Sequence, residues 1–225
     1  MQPLKETPWD ERVYGIKTYE IERLTEEALD LSNTFTGHFT IKVNPLVSKK
    51  ALHQYDFYYC DTLIEPFCSP ANFKPVYNKQ TSLTPQMAAQ DVTCFCKNTF
   101  QYDRFHRDFN LEHTKGDSRY AYWLEDIIQQ GGEILGLNFQ GELVGFFAYK
   151  DNHILLHAIG DRHRGRGLAK YLWSDACNYI LNKGWNEIKS SISAANLAVL
   201  NLYRSLGFSF RHPVDIYHKY NVKEC

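Results

Sequence analysis

One short stretch constrains this chain more than any other: the basic, glycine-rich run 162–167, with the sequence Arg-His-Arg-Gly-Arg-Gly. An apolar run from His153 to Ile159 precedes it, and apolar residues at helical spacing follow it from Leu168 onward. The run therefore joins the end of a strand to the start of a helix. Free backbone N–H groups and the positive end of a helix dipole converge there. The pattern predicts a site for a polyanion such as a pyrophosphate.

Charge and composition limit the partners of this site. The formal net charge is −1 over 225 residues, so the positive charge at 162–167 is local, and nucleic acid and anionic membranes are not expected partners. No apolar run reaches the ~20 residues that a membrane span needs, and the first residues lack the apolar core of a secretory signal. The six cysteines form no Cys-x-x-Cys pair, which predicts reduced thiols, no metal site and a cytoplasmic location.

Hydrophobic periodicity divides the chain into two parts. Residues 1–90 are predicted to form a small N-terminal α/β domain followed by a proline-containing connector without regular structure. The stretch from Trp9 to Ile21 is predicted as a turn followed by a strand, and Thr25 is predicted to cap a short helix. The other elements predicted in this part are strands at 36–43 and 56–64, a helix at 46–55 and the connector at 66–84.

Residues 91–225 are predicted to form a larger domain, which makes the whole chain an α/β (α+β) protein. An amphipathic helix leads into a three-stranded meander, then the 162–167 run, and then alternating helices and strands. The predicted elements are a helix at 118–130, strands at 133–139, 142–150 and 153–159, a helix from 168, a strand at 185–192, a helix at 194–206 and strands at 208–210 and 214–220.

Two motifs in the larger domain resemble those of a known family. The run 162–167 fits (Gln/Arg)-x-x-Gly-x-(Gly/Ala), and Asn196 followed by Leu-Tyr-x-x-Leu-Gly-Phe at 202–208 fits a second motif. Together, in this order, they resemble the GNAT acyltransferases, which transfer an acyl group from coenzyme A to an amine. The resemblance implies a mixed, centrally splayed sheet flanked by helices, with acetyl-CoA as co-substrate and no metal.

Upstream residues resemble one group within that family. Trp9-Asp10, Phe100, the string Arg-Phe-His-Arg-Asp at 104–108 and Tyr-Trp-Leu at 122–124 are similar to the dTDP-fucosamine (dTDP-4-amino-4,6-dideoxygalactose) N-acetyltransferase group. That group pairs a GNAT domain with a smaller N-terminal α/β domain. The resemblance implies a nucleotide-linked amino sugar as the acceptor. Acceptors differ among the relatives, so a peptide amine or another small amine stays an alternative acceptor. A homodimer is a possible oligomeric state.

Three residues are candidates for catalysis. Tyr203 occupies the motif position where the family has a general acid, and a phenol of ordinary pKa near 10 holds its proton at neutral pH. The alternative is a core tyrosine. His153 and His157 lie on the strand before the 162–167 run and are candidate bases. Four strand residues span ~13 Å, so the two histidines cannot share a metal. Even spacing predicts that both lie on one sheet face, with His157 near the thioester and His153 farther along the acceptor path; satisfied sheet histidines, with water as the base, are the alternative.

The resemblance also implies which residues bind the ligands. Ile159 would hold the pantetheine through its main chain, and Arg162, Arg164 or Lys170 would reach the 3′-phosphate. Asn196 would bond the cofactor or serve as an ordinary helix cap. The residues predicted to bind coenzyme A are Ile159, Arg162, His163, Arg164, Gly165, Arg166, Gly167, Leu168, Ala169, Asn196 and Tyr203.

The string at 104–108 has two interpretations. Arg104 and His106 are candidate acceptor-binding residues, because arginine pairs with a diphosphate in a bidentate manner. Asp108 instead favours a structural pair that locks the two halves together. Two readings without catalysis are also open: an acyl-CoA-binding relative without turnover, and an RNA-contacting patch at 162–167. The second is disfavoured because RNA-binding Arg-Gly segments are usually repeated and disordered.

Overall fold

A mixed β-sheet runs through the whole molecule in the computed structural model, which describes residues 3–221. Within those residues the sheet contains eleven strands and includes residues from both halves of the chain. The strands are β1 (Leu4–Glu6), β2 (Thr18–Ile21), β3 (Gly37–Val43), β4 (Tyr58–Cys68), β5 (Thr81–Thr84), β6 (Glu133–Phe139), β7 (Glu142–Lys150), β8 (His153–Ile159), β9 (Ile188–Ser190), β10 (Ile192–Ser193) and β11 (Ser209–Asn221).

Helices cover both faces of this sheet. One apolar core lies between the sheet and the two C-terminal helices, and a second lies between the sheet and the long helix that precedes the meander. No helix within residues 3–221 combines the length and apolar character that a membrane crossing requires. The helices are α1 (Pro8–Tyr14), α2 (Glu26–Thr34), α3 (Lys50–Gln54), α4 (Ala89–Val92), α5 (His113–Gln129), α6 (Ala169–Leu181) and α7 (Leu197–Ser205).

The sheet opens at its centre. Its strand order is β1-β2-β3-β11-β4-β9-β8-β7-β6-β5, with β10 paired to β4. The parallel strands β8 and β9 pair only through His153 with Lys189 and Ile154 with Ser190. Beyond these pairs β8 continues to Ile159, whereas the chain after β9 turns to pair with β4. The prediction of a mixed, splayed sheet flanked by helices is confirmed.

The N-terminal half supplies strands to the central sheet. Strand β4 lies between β9 and β11, and β5 pairs with β6. Strand β11 in turn pairs with β3, so hydrogen bonding crosses position 90 several times. The division into domains at 1–90 and 91–225 stays a prediction.

Several predicted elements are confirmed and others are corrected. The meander and the Thr25 cap are confirmed, the latter through a 3.2 Å bond from the Ala28 N–H to the Thr25 hydroxyl. The predicted turn after Trp9 is wrong, because Pro8 starts a helix that ends at Gly15 in the left-handed conformation. The helix predicted at 46–55 is confined to α3. The prolines suggested an irregular connector, yet β4 continues through Pro66 and β5 lies inside the connector.

The last two predicted strands are one bent strand. Strand β11 passes Arg211 and Val214 with a register shift, and His212 between them has a φ of 51°. A bulge keeps both parts paired to β4 while the strand bends. Pro213 lies at this bulge, where a strand tolerates proline. Of the six cysteines, the five within the described residues are free thiols, and Cys225 lies outside those residues.

Candidate active site

The glycine-rich run forms a cradle where β8 ends. Gly165 and Gly167 have φ values of 71° and 73°, which explains the two glycines. The N–H groups of His163 and Arg164 already bond within the turn. Those of 165–168 make no hydrogen bond to any residue in 3–221, and α6 starts without a side-chain cap. The cradle therefore offers the N–H groups of 165–168, rather than 163–167 as predicted, to an anion.

The arginines of the run differ in what they contact. Arg164 donates from Nε to the Ile159 carbonyl at 2.8 Å, pairs with Asp161 at 2.8 Å and also bonds the Thr99 hydroxyl. These bonds tie the run to the end of β8 and occupy the Ile159 carbonyl predicted for the pantetheine. Arg162 and Arg166 are exposed and lie in no ion pair within residues 3–221.

Other predicted cofactor residues near the run differ in their exposure. Lys170, in the first turn of α6, is exposed. Leu168 is buried beneath the run and Ala169 starts the helix, so their contribution to an anion site is main-chain N–H. The His163 ring lies 3.7 Å from Glu142. The mobile cations left for phosphate groups are therefore Arg162, Arg166 and Lys170.

Tyr203 and His157 meet on the diverging part of the sheet. The Tyr203 hydroxyl lies 3.0 Å from Nε2 of His157, and Tyr203 is fully buried in α7. The His157 ring packs against Trp173 at 4.7 Å and stacks on Phe147 at 5.5 Å. Burial raises the pKa of Tyr203 well above its usual range and lowers the pKa of His157 to about 4. Both groups are therefore neutral at pH 7, and one proton lies in the hydrogen bond between them.

His153 lies on the other side of the sheet. It lines a cavity together with Trp123 of α5, whereas His157 packs among residues of the α6–α7 core. The prediction that His153 and His157 share a face is wrong. Ala148 of β7 pairs with Leu156 and the next residue, Tyr149, pairs with Ile154, so Leu155 is an extra residue in β8. This bulge shifts the alternation of side chains by one residue and places the two histidines on opposite faces.

Asn196 serves as a helix cap in the structure. Its side-chain oxygen accepts a 3.2 Å hydrogen bond from the Val199 N–H at the start of α7. This arrangement is the ordinary alternative to cofactor binding, and it satisfies one donor of the first turn. The amide group of Asn196 stays free for a second bond.

Asp108 is the centre of a buried polar network. One carboxylate oxygen bonds Nε2 of His38 at 2.9 Å and Nδ1 of His218 at 2.7 Å. The other accepts from the Tyr58 hydroxyl at 2.9 Å and from the Asn110 N–H at 2.9 Å. Burial by itself would raise the pKa of Asp108, but the bonds from His218 and His38 outweigh it and hold the pKa well below its usual range.

The same network has the composition of a metal-ligand set, with ligand atoms of His38, Asp108 and His218 all within 4.8 Å of one another. Four donors already satisfy the carboxylate, so a structural role explains the cluster without an ion. It joins β3, β4 and β11 to the segment before α5. The structural interpretation of Asp108 agrees with this geometry.

Arg104 and His106 flank this network. Arg104 packs over the Phe105 ring at 4.7 Å, and its Nε has no hydrogen-bond partner within residues 3–221. Nδ1 of His106 lies 2.5 Å from the Asp103 carboxylate, and the buried ring packs on α5 beside Gly116. Their assignment to acceptor binding stays a prediction, since neither side chain bonds a residue of β8, β9 or α7.

Gly116→Ala is expected to destabilise the protein, although this change usually stabilises a helix by about 1 kcal/mol. A Cβ at Gly116 would lie 2.4 Å from the His106 ring. Chemical denaturation of the single variant and of the Gly116→Ala/His106→Ala double variant measures the coupling. In the His106→Ala background the alanine should be neutral or stabilising; an equal loss in both backgrounds would contradict the contact.

Sequence reasoning missed Asp61, a buried carboxylate on β4. Its Oδ1 accepts from Arg107 at 3.0 Å and from the Ser193 hydroxyl at 2.8 Å, while Oδ2 has no partner within residues 3–221. Ser193 lies on β10, where the chain has left β8 and pairs with Leu63 of β4. The available signal was a charged residue inside a strand-like stretch. Its importance arises from β4 lying next to β9, which no local pattern indicates.

Comparison with known proteins supports the same fold. Residues 101–208 match the model of the acetyltransferase (GNAT) family. A search of curated protein sequences found no match. A tandem GNAT protein from the clavulanic acid biosynthesis pathway has 10% identity and a TM-score of 0.60, covering 92% of this chain and 76% of that one.

Two further solved structures are similar at low identity. A GCN5-related N-acetyltransferase from Sphaerobacter thermophilus has 14% identity and a TM-score of 0.59, with 89% of this chain and 65% of that chain covered. A GCN5-related glucosamine N-acetyltransferase region of a fungal multi-domain GH3 β-N-acetylglucosaminidase has 10% identity and a TM-score of 0.62, with 90% and 30% covered. The chain thus spans under two thirds of the length of these two structures. Residues 101–208 thus match the GNAT family model, and the chain has the GNAT fold.

Proposed function

We propose that this protein is an acetyl-CoA-dependent N-acetyltransferase whose acceptor is the primary amine of a nucleotide-linked amino sugar. The observation that carries the proposal is the pairing of Tyr203 with His157 on the diverging part of β8, next to an anion cradle of free N–H groups at 165–168. A cradle of this kind fits the pyrophosphate of coenzyme A. The exposed cations Arg162, Arg166 and Lys170 suit its remaining phosphate.

The pair can deliver a proton to a leaving group. Bound acetyl-CoA would supply the acetyl thioester that the acceptor amine attacks. When Nε2 of His157 carries the ring proton, it donates to the Tyr203 oxygen and leaves the phenol's own proton free for the departing sulfur. The same N–H then stabilises the phenolate oxygen until it regains a proton. Tyr203 is thus the general acid.

The low pKa of His157 argues against its role as the base. A pKa of about 4 makes the ring a weak acceptor for the proton of an ammonium group. We therefore assign His157 to positioning Tyr203, and the acceptor amine loses its proton to solvent.

The acceptor class has two supports. The Arg-Phe-His string resembles the dTDP-fucosamine N-acetyltransferase group, and one structural neighbour is described as a glucosamine N-acetyltransferase region. A screen for CoA release with nucleotide-linked amino sugars, free amino sugars and peptides tests the proposal. Turnover restricted to peptides would contradict the amino-sugar acceptor and favour a peptide amine. CoA binding without turnover of any amine would leave the non-catalytic acyl-CoA-binding alternative.

Removal of a free cation from the run should weaken coenzyme A binding. Arg162→Ala, Arg166→Ala and Lys170→Ala are each expected to raise the Kd for CoA by about tenfold at low salt if the side chain bonds a phosphate, and less at high salt. Titration calorimetry with CoA and 3′-dephospho-CoA identifies the residue at the 3′-phosphate, whose variant loses nothing with the dephospho form. Lys50→Ala on α3 is the control, since Lys50 is exposed in the N-terminal half. Unchanged Kd values for all three variants would contradict the assignment of these side chains to the phosphates of CoA.

A further inference from the structure

A cavity of about 330 Å³ opens beside the start of β8, on the α5 side of the sheet. Its lining combines apolar side chains with basic and polar ones, a combination typical of sites that bind the polar end of an organic ligand. The lining residues that matter here are the apolar Trp123 and Leu155 and the polar or charged Lys150, Asp151, His153 and Lys189.

The lysines that line the cavity have no direct ion pair. Neither Lys150 nor Lys189 forms one with any residue in 3–221, Asp151 is the single carboxylate among the cavity's lining residues, and Glu65 lies close enough to Lys189 for its pKa to be lowered by that charge. Burial, and then the charge of Lys189, lowers the pKa of His153, so the ring adds a neutral hydrogen-bonding group at neutral pH. Two unpaired ammonium groups on one cavity favour an anionic occupant.

The cavity and the reactive pair belong to the same strand. His153, which lines the cavity, precedes His157 by four strand residues, which span ~13 Å. The α5 side is opposite the core that contains Tyr203 and α6, and α6 follows the proposed cofactor cradle. A ligand bound in the cavity would therefore not compete with coenzyme A for space. A sugar ring carrying an amine at one end and a diphosphate at the other is extended enough to cover much of this distance.

We infer that the cavity at the start of β8 binds the diphosphate of the acceptor, with Lys150 and Lys189 as its ligands and the Trp123 side chain as the apolar contact of the attached nucleoside. The inference rests on the proposed function, because it assigns the part of the acceptor that does not react. Binding energy from this remote group would hold the amine at the splay. The lysines are then specificity-determining residues: they distinguish a nucleotide-linked amino sugar from the free amino sugar.

The direct test is calorimetry on the protein saturated with coenzyme A, so that the cradle at 165–168 is already filled. The probes are thymidine diphosphate and inorganic pyrophosphate. Lys150→Ala/Lys189→Ala is expected to weaken thymidine diphosphate binding by about tenfold or more. The charge-matched control Lys50→Ala/Lys79→Ala, which removes two exposed lysines elsewhere, should change it less than about twofold. Melting temperatures of both variants show whether they stay folded.

Each result bears on the inference. Equal thymidine diphosphate affinity in the wild type and in Lys150→Ala/Lys189→Ala would overturn it. Tighter binding of thymidine diphosphate than of pyrophosphate supports a nucleotide, and equal binding of both would overturn the nucleoside part. In turnover assays the Lys150→Ala/Lys189→Ala variant should lower kcat/KM for the nucleotide-linked amino sugar by a larger factor than for the free amino sugar.

These measurements also separate the inference from the proposed function. Lysine-dependent binding of thymidine diphosphate without acetyl transfer to any amine would keep the cavity and reject the acetyltransferase. Acetyl transfer to the nucleotide-linked amino sugar with the same KM in the wild type and in Lys150→Ala/Lys189→Ala would support the acetyltransferase and reject the cavity as the diphosphate site.

Discussion

Tyr203→Phe is expected to lower kcat by about 100- to 1,000-fold, the range for loss of a general acid, while the Kd for coenzyme A stays within about twofold. Phenylalanine keeps the buried ring and removes only the hydroxyl that lies 3.0 Å from His157. Steady-state kinetics and calorimetry give the two quantities. The control is Tyr179→Phe on α6, a partly buried tyrosine whose ring lies beside Lys183. An unchanged kcat would remove Tyr203 from the chemistry and favour a route without a protein acid.

The pH dependence carries a second expectation for the same residue. Because burial raises the pKa of Tyr203, the phenol keeps its proton at and above its ordinary pKa near 10. The rate should therefore rise with pH as the acceptor amine loses its proton, without a Tyr203-dependent fall below pH 10. His157, with its pKa lowered to about 4, should stay neutral over this range, which NMR titration of its ring can follow. A titration of the His157 ring near pH 6.5 would contradict the burial of this ring beside Trp173.

Asp108→Ala is expected to lower the free energy of unfolding by about 3–5 kcal/mol, the range for breaking a buried charged network. The change leaves the N–H groups of His38 and His218 and the Tyr58 hydroxyl without their acceptor. Urea unfolding followed by fluorescence measures the loss. Asp30→Ala is the control, because Asp30 is an exposed aspartate whose bond to the Tyr55 hydroxyl is also exposed, and it should cost less than about 1 kcal/mol. Similar losses for both variants would mean that the network adds little.

The sign of the pH effect follows from the lowered pKa of Asp108. A carboxyl group whose pKa is lower in the folded state stabilises that state fully above its unfolded pKa, near 4. That contribution is lost as the pH falls below 4. The stability difference between the wild type and Asp108→Ala should therefore be full at pH 7 and shrink in acid. A difference that grew on acidification would contradict the assignment of a charged Asp108.

Local patterns in the sequence predicted the elements of the C-terminal half well. The three-strand meander, the run at 162–167 and the helix after it depend on periodicity and on glycines that local conformation requires, and the structure confirms their order. The errors arose where the tertiary structure accommodates residues that locally indicate a turn or a break. Proline in β4 and in β11 is accommodated within a ladder, and Pro8 starts a helix instead of a turn.

The sequence by itself determined the local elements of the candidate site, a glycine-rich turn at a helix start followed by a tyrosine in a helical motif, and it predicted an anion as the ligand of that turn. Only the tertiary structure decided which groups meet there. It turned His157 toward Tyr203 and His153 toward the cavity, through one extra residue in β8, and it occupied Arg164 with the end of the same strand. It also brought Asp61 from the N-terminal half beside Ser193. These contacts depend on strand pairing between distant segments, and a one-residue shift in such pairing exchanges the faces on which side chains lie.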